Sequence, residues 1–276
     1  MKKLFSLAAA AILGSALLLA GCGSDNNASA GTSGKTVITV GATPVPHAEI
    51  LEQAKPLLEK EGIELKVVEF TDYVKPNMAL NDKELDANFF QHVPYLEKFI
   101  REHKMDLVSA GKVHVEPMGV YSKTITDKNL EANLPNGSKV AIPNDPSNGG
   151  RALILLQKAG LITLKDPNNI YATKADIASN PKNLEFVELE AAQLPRSLDD
   201  VAIAVINTNY ALEAGLDPLK GALYLEDKDS PYANIVAVRK GDENRPEIQK
   251  LMKALQSPEV KKFIEDKYKG AILPAF

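Results

Sequence analysis

"KVAIPNDPSNGGRALILLQKAG", residues 139–160, sets the architecture of the chain. An apolar strand signal runs into Pro143 and a knot of turn and cap residues, then into a helix that stops at Gly160. Pro146 suits the first helical position with Asp145 as its cap, and Ser147 is nearly as good a cap. Gly149 and Gly150 strip side chains from the first turn, which lets a ligand approach the backbone. Free N–H groups and the positive end of the helix attract an anion. Arg151 adds a planar fork that meets a carboxylate through two hydrogen bonds. No GK[ST] follows, which argues against a nucleotide phosphate loop. The plainer alternative is a capped helix whose arginine pairs with a surface acid.

The same order of elements opens the folded chain. "KTVITVG" (35–41) is a β-branched strand, "ATPVP" a turn, and "HAEILEQAKPLLEKEG" (47–62) a helix stopped by Gly62. "IELKVVEF" (63–70) is the next strand, so the start reads as a parallel α/β unit. A short helix near 74–81, a strand at "LDANFF" (85–90), a helix at 92–103 and "DLVSAGKVHVEP" (106–117) follow. "MGVYSKTI" (118–125) reads as an extended crossover. Beyond residue 160 come a strand "NLEFVEL" (183–189), a short helix near 191–198, the strand "VAIAVIN" (201–207) and a final helix at 246–268. Two units with the same opening imply two similar lobes. A return through 221–238 would build the first lobe from both ends of the chain, with two crossings as a hinge. The expected division is 36–118 and 223–276 for the first lobe, with the return crossing, and 119–222 for the second.

"MKKLFSLAAAAILGSALLLAGC" has two lysines, an uncharged apolar run and small residues before Cys22, the only cysteine of the 276 residues. Its length is marginal for a membrane-spanning anchor. The "LLAGC" ending instead has the form of a lipoprotein cleavage site, with signal 1–21 removed and Cys22 acylated. Residues 22–35 then read as the lipidated cysteine and a flexible tether spanning roughly 20 Å. Loss of Lys2 and Lys3 takes the formal charge from −4 to −6. That acidity argues against nucleic acid, and a lone cysteine rules out a disulfide framework in the folded body.

Further candidates cluster in four stretches. "NFFQHVPYL" (88–96) gathers Phe89, Phe90, His92 and Tyr95 in a chain with eight Phe, eight Tyr and no Trp. One phenylalanine belongs to the core, since strand neighbours point opposite ways. His92 faces a ligand or merely enters the helix. "FTDYVKPNMAL" (70–80) presents Tyr73 and Met78. "AVINTNYAL" (204–212) ends a buried strand with Asn207 and Asn209, of which helix capping claims one. Asn234 starts a strand in the return crossing; an asparagine there bonds both an ammonium and a carboxylate. Arg196 is a rival anion ligand, although Asp199 and Asp200 point to a structural ion pair. His92, His103 and His114 recur every eleven residues, yet Pro94 breaks the helix that would align them, so no metal site is expected. No catalytic motif stands out.

Together "LLAGC", "GATPVPHAEIL", "TDYVKPNMAL", "DANFFQHVPYL", "VAIPNDPSNGGRALILLQKAGLI", "ELEAAQLPRSLDDVAIAVINTNYA" and "EDKDSPYANIVAVR" resemble the methionine-binding lipoprotein family, the substrate-binding components of methionine ABC importers. The resemblance implies an α/β, two-lobed periplasmic-binding-protein fold (type II-like) with a double-crossing hinge and the ligand in the cleft. It implies that Arg151 clamps the ligand carboxylate with Asn148 beside it. Asn207 and Asn234 would bind the amino-acid head group, and Tyr73, Phe90, His92 and Tyr95 would surround the thioether. The glycine of "NGG" stands where the family carries bulkier residues, which would enlarge the site slightly. The implied partners are methionine, a membrane permease with its ATPase, and the extracytoplasmic membrane face through the lipid on Cys22. No cofactor is implied. The rivals are a methionine-containing dipeptide or other small amino acid as ligand, and a surface lipoprotein acting mainly as adhesin or enzyme.

Overall fold

A computed structural model describes residues 35–227 and 230–276; the expected signal, Cys22 and the tether up to Gly34 lie outside them. The β-branched runs form strands β1 (Thr36–Ala42), β2 (Ile63–Glu69), β3 (Ala87–His92), β4 (Leu107–Val115), β5 (Gly119–Tyr121), β6 (Lys139–Pro143), β7 (Thr163–Leu164), β8 (Ile177–Ser179), β9 (Glu185–Leu189), β10 (Ile203–Ile206), β11 (Tyr224–Leu225), β12 (Ala233–Arg239) and β13 (Leu273–Pro274). One sheet has the order β13-β4-β12-β3-β1-β2 and the other β11-β5-β10-β6-β9, while β7 and β8 form a small hairpin. Each main sheet is the heart of one lobe.

The two sheets share a plan. In the first, β1 is parallel to β2 and β3, and β12 lies antiparallel to both β3 and β4. In the second, β6 is parallel to β9 and β10, and β5 lies antiparallel to β10 and β11. In both cases the inserted antiparallel strand is the one that has just arrived from the other lobe. The chain leaves the first sheet after Val115 and returns between Leu225 and Ala233. The sheets are therefore mixed, not purely parallel as the strand–helix–strand opening suggests. The stretch read as a crossover already contributes β5, because Val120 and Tyr121 are buried between neighbours on both sides.

Alternation along the strands places apolar residues on both faces, and helices cover each. Val236 and Val238 of β12 pack with Ile50, Leu51, Ala54 and Leu58 of the helix Glu49–Lys60 and with Leu251 and Ile264 near the C-terminus. Their neighbours Ile235 and Ala237 face the other way, onto Leu80 and Leu96. In the second lobe Ile203 and Val205 pack on Ala152, Leu153 and Leu156 of the helix Pro146–Lys158, and Ala204 and Ile206 face Leu194 and Ala211. The single helix read over 246–268 is two, Pro246–Leu255 and Pro258–Tyr268. Pro258 lacks an N–H to continue the first, and Ser257 caps the second by accepting from Val260 N–H at 3.2 Å.

This plan decides where a ligand can sit. The carboxyl ends of β3, β6 and β10 lead directly into helices that start at Val93, Pro146 and Thr208. Polar side chains at those ends meet in the crevice between the lobes, where open α/β sheets hold their ligands.

Candidate functional site

A small cavity lies in that crevice. Tyr73, Phe90, His92, Tyr95, Asn148, Arg151, Asn207 and Asn234, the eight residues singled out by sequence, all line it, together with Gln91, Glu116, Thr208 and Asn209. Phe89, by contrast, is wholly buried in the core of the first lobe. Met78 is half exposed on the helix Lys75–Asn81, away from the cavity lining.

The opening motif places Arg151. Asp145 caps the helix by accepting from Asn148 N–H at 2.8 Å, with Pro146 at the first helical position. The two glycines do not serve the cavity. A Cβ on Gly150 would lie 2.4 Å from Ile170 O, and one on Gly149 would lie 3.0 Å from Pro143 O. Their bareness lets the second lobe's own backbone pack against the helix, so neither glycine enlarges the site.

Arg151 is 3% exposed and already half engaged. Its Nε donates to Glu226 Oε1 at 3.0 Å, and its Nη2 donates to Glu226 Oε2 at 2.5 Å and to Glu116 O at 2.7 Å. Among the described residues Nη1 has no hydrogen-bond partner. Tyr232 stacks its ring 4.3 Å from the guanidinium carbon. Burial works against the charge, but the Glu226 carboxylate offsets that and holds Arg151 protonated. Both crossing segments, through Glu116 and Glu226, thus fix one edge of the guanidinium.

The amides divide into spent and open groups. Asn148 Oδ1 accepts from Asn207 Nδ2 at 2.9 Å and pairs with His92 Nε2 at 3.2 Å, while its Nδ2 donates to Asp145. Every polar side-chain atom of Asn148 is used. Asn207 Oδ1 and Asn209 Nδ2 are buried without a partner, and Asn234 holds His47 Nε2 through its Oδ1 at 3.1 Å. His92 also caps the helix Val93–His103, its Nδ1 accepting from Tyr95 N–H at 3.2 Å. Its ring thus lines the cavity with both nitrogens already paired inside the protein. Burial, helped by the Arg151 charge, pushes its imidazole down to about 3, so it is neutral.

Three rings form the remaining wall. The centroids of Tyr73, Phe90 and Tyr95 are pairwise 5.9 Å apart, and Tyr95 Oη donates to Tyr73 O at 2.8 Å. Such a cage suits a soft apolar group.

Sequence reasoning missed Glu116. It sits in the first crossing, outside any motif, and takes both His47 Nε2 at 3.2 Å and His114 Nε2 at 2.7 Å on one oxygen. Burial holds its carboxyl above the ordinary range, opposed by His47, Arg151 and the Asn209 N–H. Burial also lowers His47 to about 4 and His114 to about 3. The three groups have the donor set of a metal site. Their 2.7 and 3.2 Å separations, however, are those of neutral imidazoles donating to a carboxylate. His92, His103 and His114 lie on a strand end, a helix end and a strand, so their even spacing has no structural meaning. Arg196 is exposed and makes no ion pair among the described residues; Asp199 pairs with Lys123 at 2.5 Å instead. Arg196 lines a larger opening beside the cavity. The expected ion pair with Asp199 or Asp200 is therefore absent, because Asp199 turns toward the segment after β5.

Known proteins resemble this chain over most of its length. The methionine-binding lipoprotein MetQ of Bacillus subtilis is 48% identical over 281 residues, covering 99% of each chain. The D-methionine-binding lipoprotein MetQ of Salmonella typhi is 48% identical over 92% of this chain and 91% of its own. A nutrient-binding protein of Burkholderia cenocepacia, solved bound to methionine, superposes with a TM-score of 0.83 at 50% identity, covering 87% of this chain and all of the other. The sequence profile of the NlpA lipoproteins matches residues 38–276, every part of the folded body that builds the cleft, and the chain belongs to the NlpA lipoprotein family.

Proposed function

We propose that this protein is a lipid-anchored, extracytoplasmic substrate-binding protein that captures methionine between its lobes and delivers it to an ABC importer. The composition of the cavity carries this reading. An open guanidinium nitrogen, an unpartnered amide oxygen and a carboxylate stand beside a cage of three aromatic rings. That is the complement of a zwitterion bearing a soft side chain. The ligand carboxylate accepts from Arg151 Nη1 and from the amide of Asn234. The ammonium donates to Asn207 Oδ1 and Glu116. The thioether lies among Tyr73, Phe90 and Tyr95, contacts worth ~0.3–1.5 kcal/mol each, with His92 at their edge. Asn148, its own atoms spent, orients His92 and Asn207.

The head-group donors and acceptors and the ring cage line one and the same cavity, an arrangement that suits a single amino acid. The relatives named for methionine, and the Burkholderia protein bound to it, support the same ligand. Capture needs no bond to be made or broken. Methionine touches both lobes and shifts the hinge toward the closed form. The closed form docks on a permease whose ATPase works on the far side of the membrane, and the acylated Cys22 keeps the folded body within reach.

Native mass spectrometry of the full chain in detergent, before and after unfolding and refolding, tests the reading. The expected result is a released mass matching methionine that returns when methionine is added. A different released mass keeps capture and replaces the ligand. No released mass and no uptake overturns capture and favours the adhesin or enzyme reading.

A further inference from the structure

Asn209 is 2% exposed, lines the cavity and has a divided carboxamide. Its Oδ1 accepts from Tyr73 Oη at 2.5 Å, a bond that crosses the cleft from the first lobe to the second. Its backbone N–H supports the Glu116 carboxylate. Its Nδ2 is buried without a partner. Buried donors are rarely left unmade, and one at the wall of a cavity is completed by what enters it.

The next residue sends a bond the opposite way. Tyr210 Oη donates to Thr71 O at 3.2 Å, from the second lobe to the first, and its ring lies 5.0 Å from that of Tyr73 at 37°. Two hydroxyls therefore cross the cleft in opposite directions, side by side. Tyr73 stands between the ligand cavity and the larger opening that Tyr210 lines. The pair forms a clasp between the cavity and that opening.

We propose that Asn209 is a specificity-determining residue that fastens this clasp to the ligand: its Nδ2 donates to the ligand carboxylate while its Oδ1 holds Tyr73. The inference rests on methionine as ligand, since the carboxylate carries the only oxygen acceptors of that molecule. A ligand with that oxygen completes the carboxamide and sets Tyr73 in the closed position. A ligand without it leaves the donor buried and unmade.

Asn209→Asp separates the two halves of the carboxamide, because it keeps an acceptor for Tyr73 and removes the donor; Asn209→Ala removes both without adding charge. Calorimetry on the full chain should find methionine affinity at least tenfold weaker in both variants. 3-(Methylthio)propylamine, which lacks both carboxylate oxygens, should lose far less. Tyr73→Phe keeps the donor and unties the clasp, and stopped-flow should find dissociation several-fold faster with association little changed. Wild-type affinity in both Asn209 variants would overturn the donor role, and a wild-type dissociation rate in Tyr73→Phe would overturn the clasp. If the wild type itself binds no methionine, the ligand assignment falls instead. The interlobe dye distance of unliganded Tyr73→Phe then still decides the clasp, which requires it to be longer than in the wild type.

Discussion

Arg151 is the residue on which the site turns. Two of its three nitrogens are committed to Glu226 and to the Glu116 carbonyl, so a ligand meets a guanidinium that is already oriented and cannot swing away. Pre-orientation of this kind reduces what binding must spend on ordering side chains. Arg151→Ala should weaken methionine binding by a hundredfold or more, about 3 kcal/mol or above, since a buried carboxylate loses its charged partner. Calorimetry reads this directly, and wild-type affinity would remove Arg151 from the site. The arginine was legible because cap, proline and glycines surround it in one short stretch. Glu226 and Glu116 were not. Glu116 is a lone acid in the first crossing and Glu226 one of several in the return, and only the closed chain brings them to a helix 35 and 75 residues away in sequence. Asn148 shows the same limit: its motif was visible, but not that every atom of its amide is taken.

The buried histidines give the residue scale a pH signature. His92 and His114 are held near 3 and His47 near 4, chiefly by burial, whereas an unfolded chain protonates histidine near 6.5. Between those values the unfolded state binds protons that the folded state refuses, so stability rises with pH there and is lost as pH falls below about 6.5. Each fully buried imidazole is worth on the order of 3 kcal/mol by pH 4. Glu116, held high, acts in the opposite sense over its own window and softens the slope. Urea midpoints at pH 7, 5.5 and 4.5 should fall in that order, and His92→Gln should flatten the fall. Equal midpoints would mean that the imidazoles are not buried neutral.

Among the elements, the helix Pro146–Lys158 supplies Asn148 and Arg151 to the site and depends on its first turn. Asp145→Ala removes the cap and should cost about 1 kcal/mol, lowering Tm by about 2–4 °C. It also frees Asn148, so methionine affinity should fall with stability. Gly150→Ala should be the more damaging change to the fold, because its Cβ would run into the Ile170 carbonyl. Thermal melts with and without methionine separate the two effects. A Gly150→Ala protein that melts as the wild type does would show that the 170–172 segment can withdraw. Helices and strands were mostly legible from periodicity and caps. The misread elements failed for identifiable reasons. Pro258 hid inside an amphipathic pattern that runs through both C-terminal helices, and β5 is a three-residue strand whose neighbours come from residues 203–206 and 224–225.

For the whole molecule, the exchange of strands between lobes has a temporal side. β12 lies between β3 and β4, and Ile235 through Val238 are all fully buried there. A chain made from its amino end delivers β1 to β4 first. Their sheet nevertheless keeps a gap, with the edges of β3 and β4 open, until the second lobe has been made and residues 233–239 arrive. Strands β5, β6, β9, β10 and β11 are contiguous in sequence and wait for nothing later. Pulse-labelled hydrogen exchange during refolding should therefore find amides of β6 and β10 protected before those of β1 and β3; simultaneous protection would refute that order. The lobe that is synthesised first is the one that finishes last.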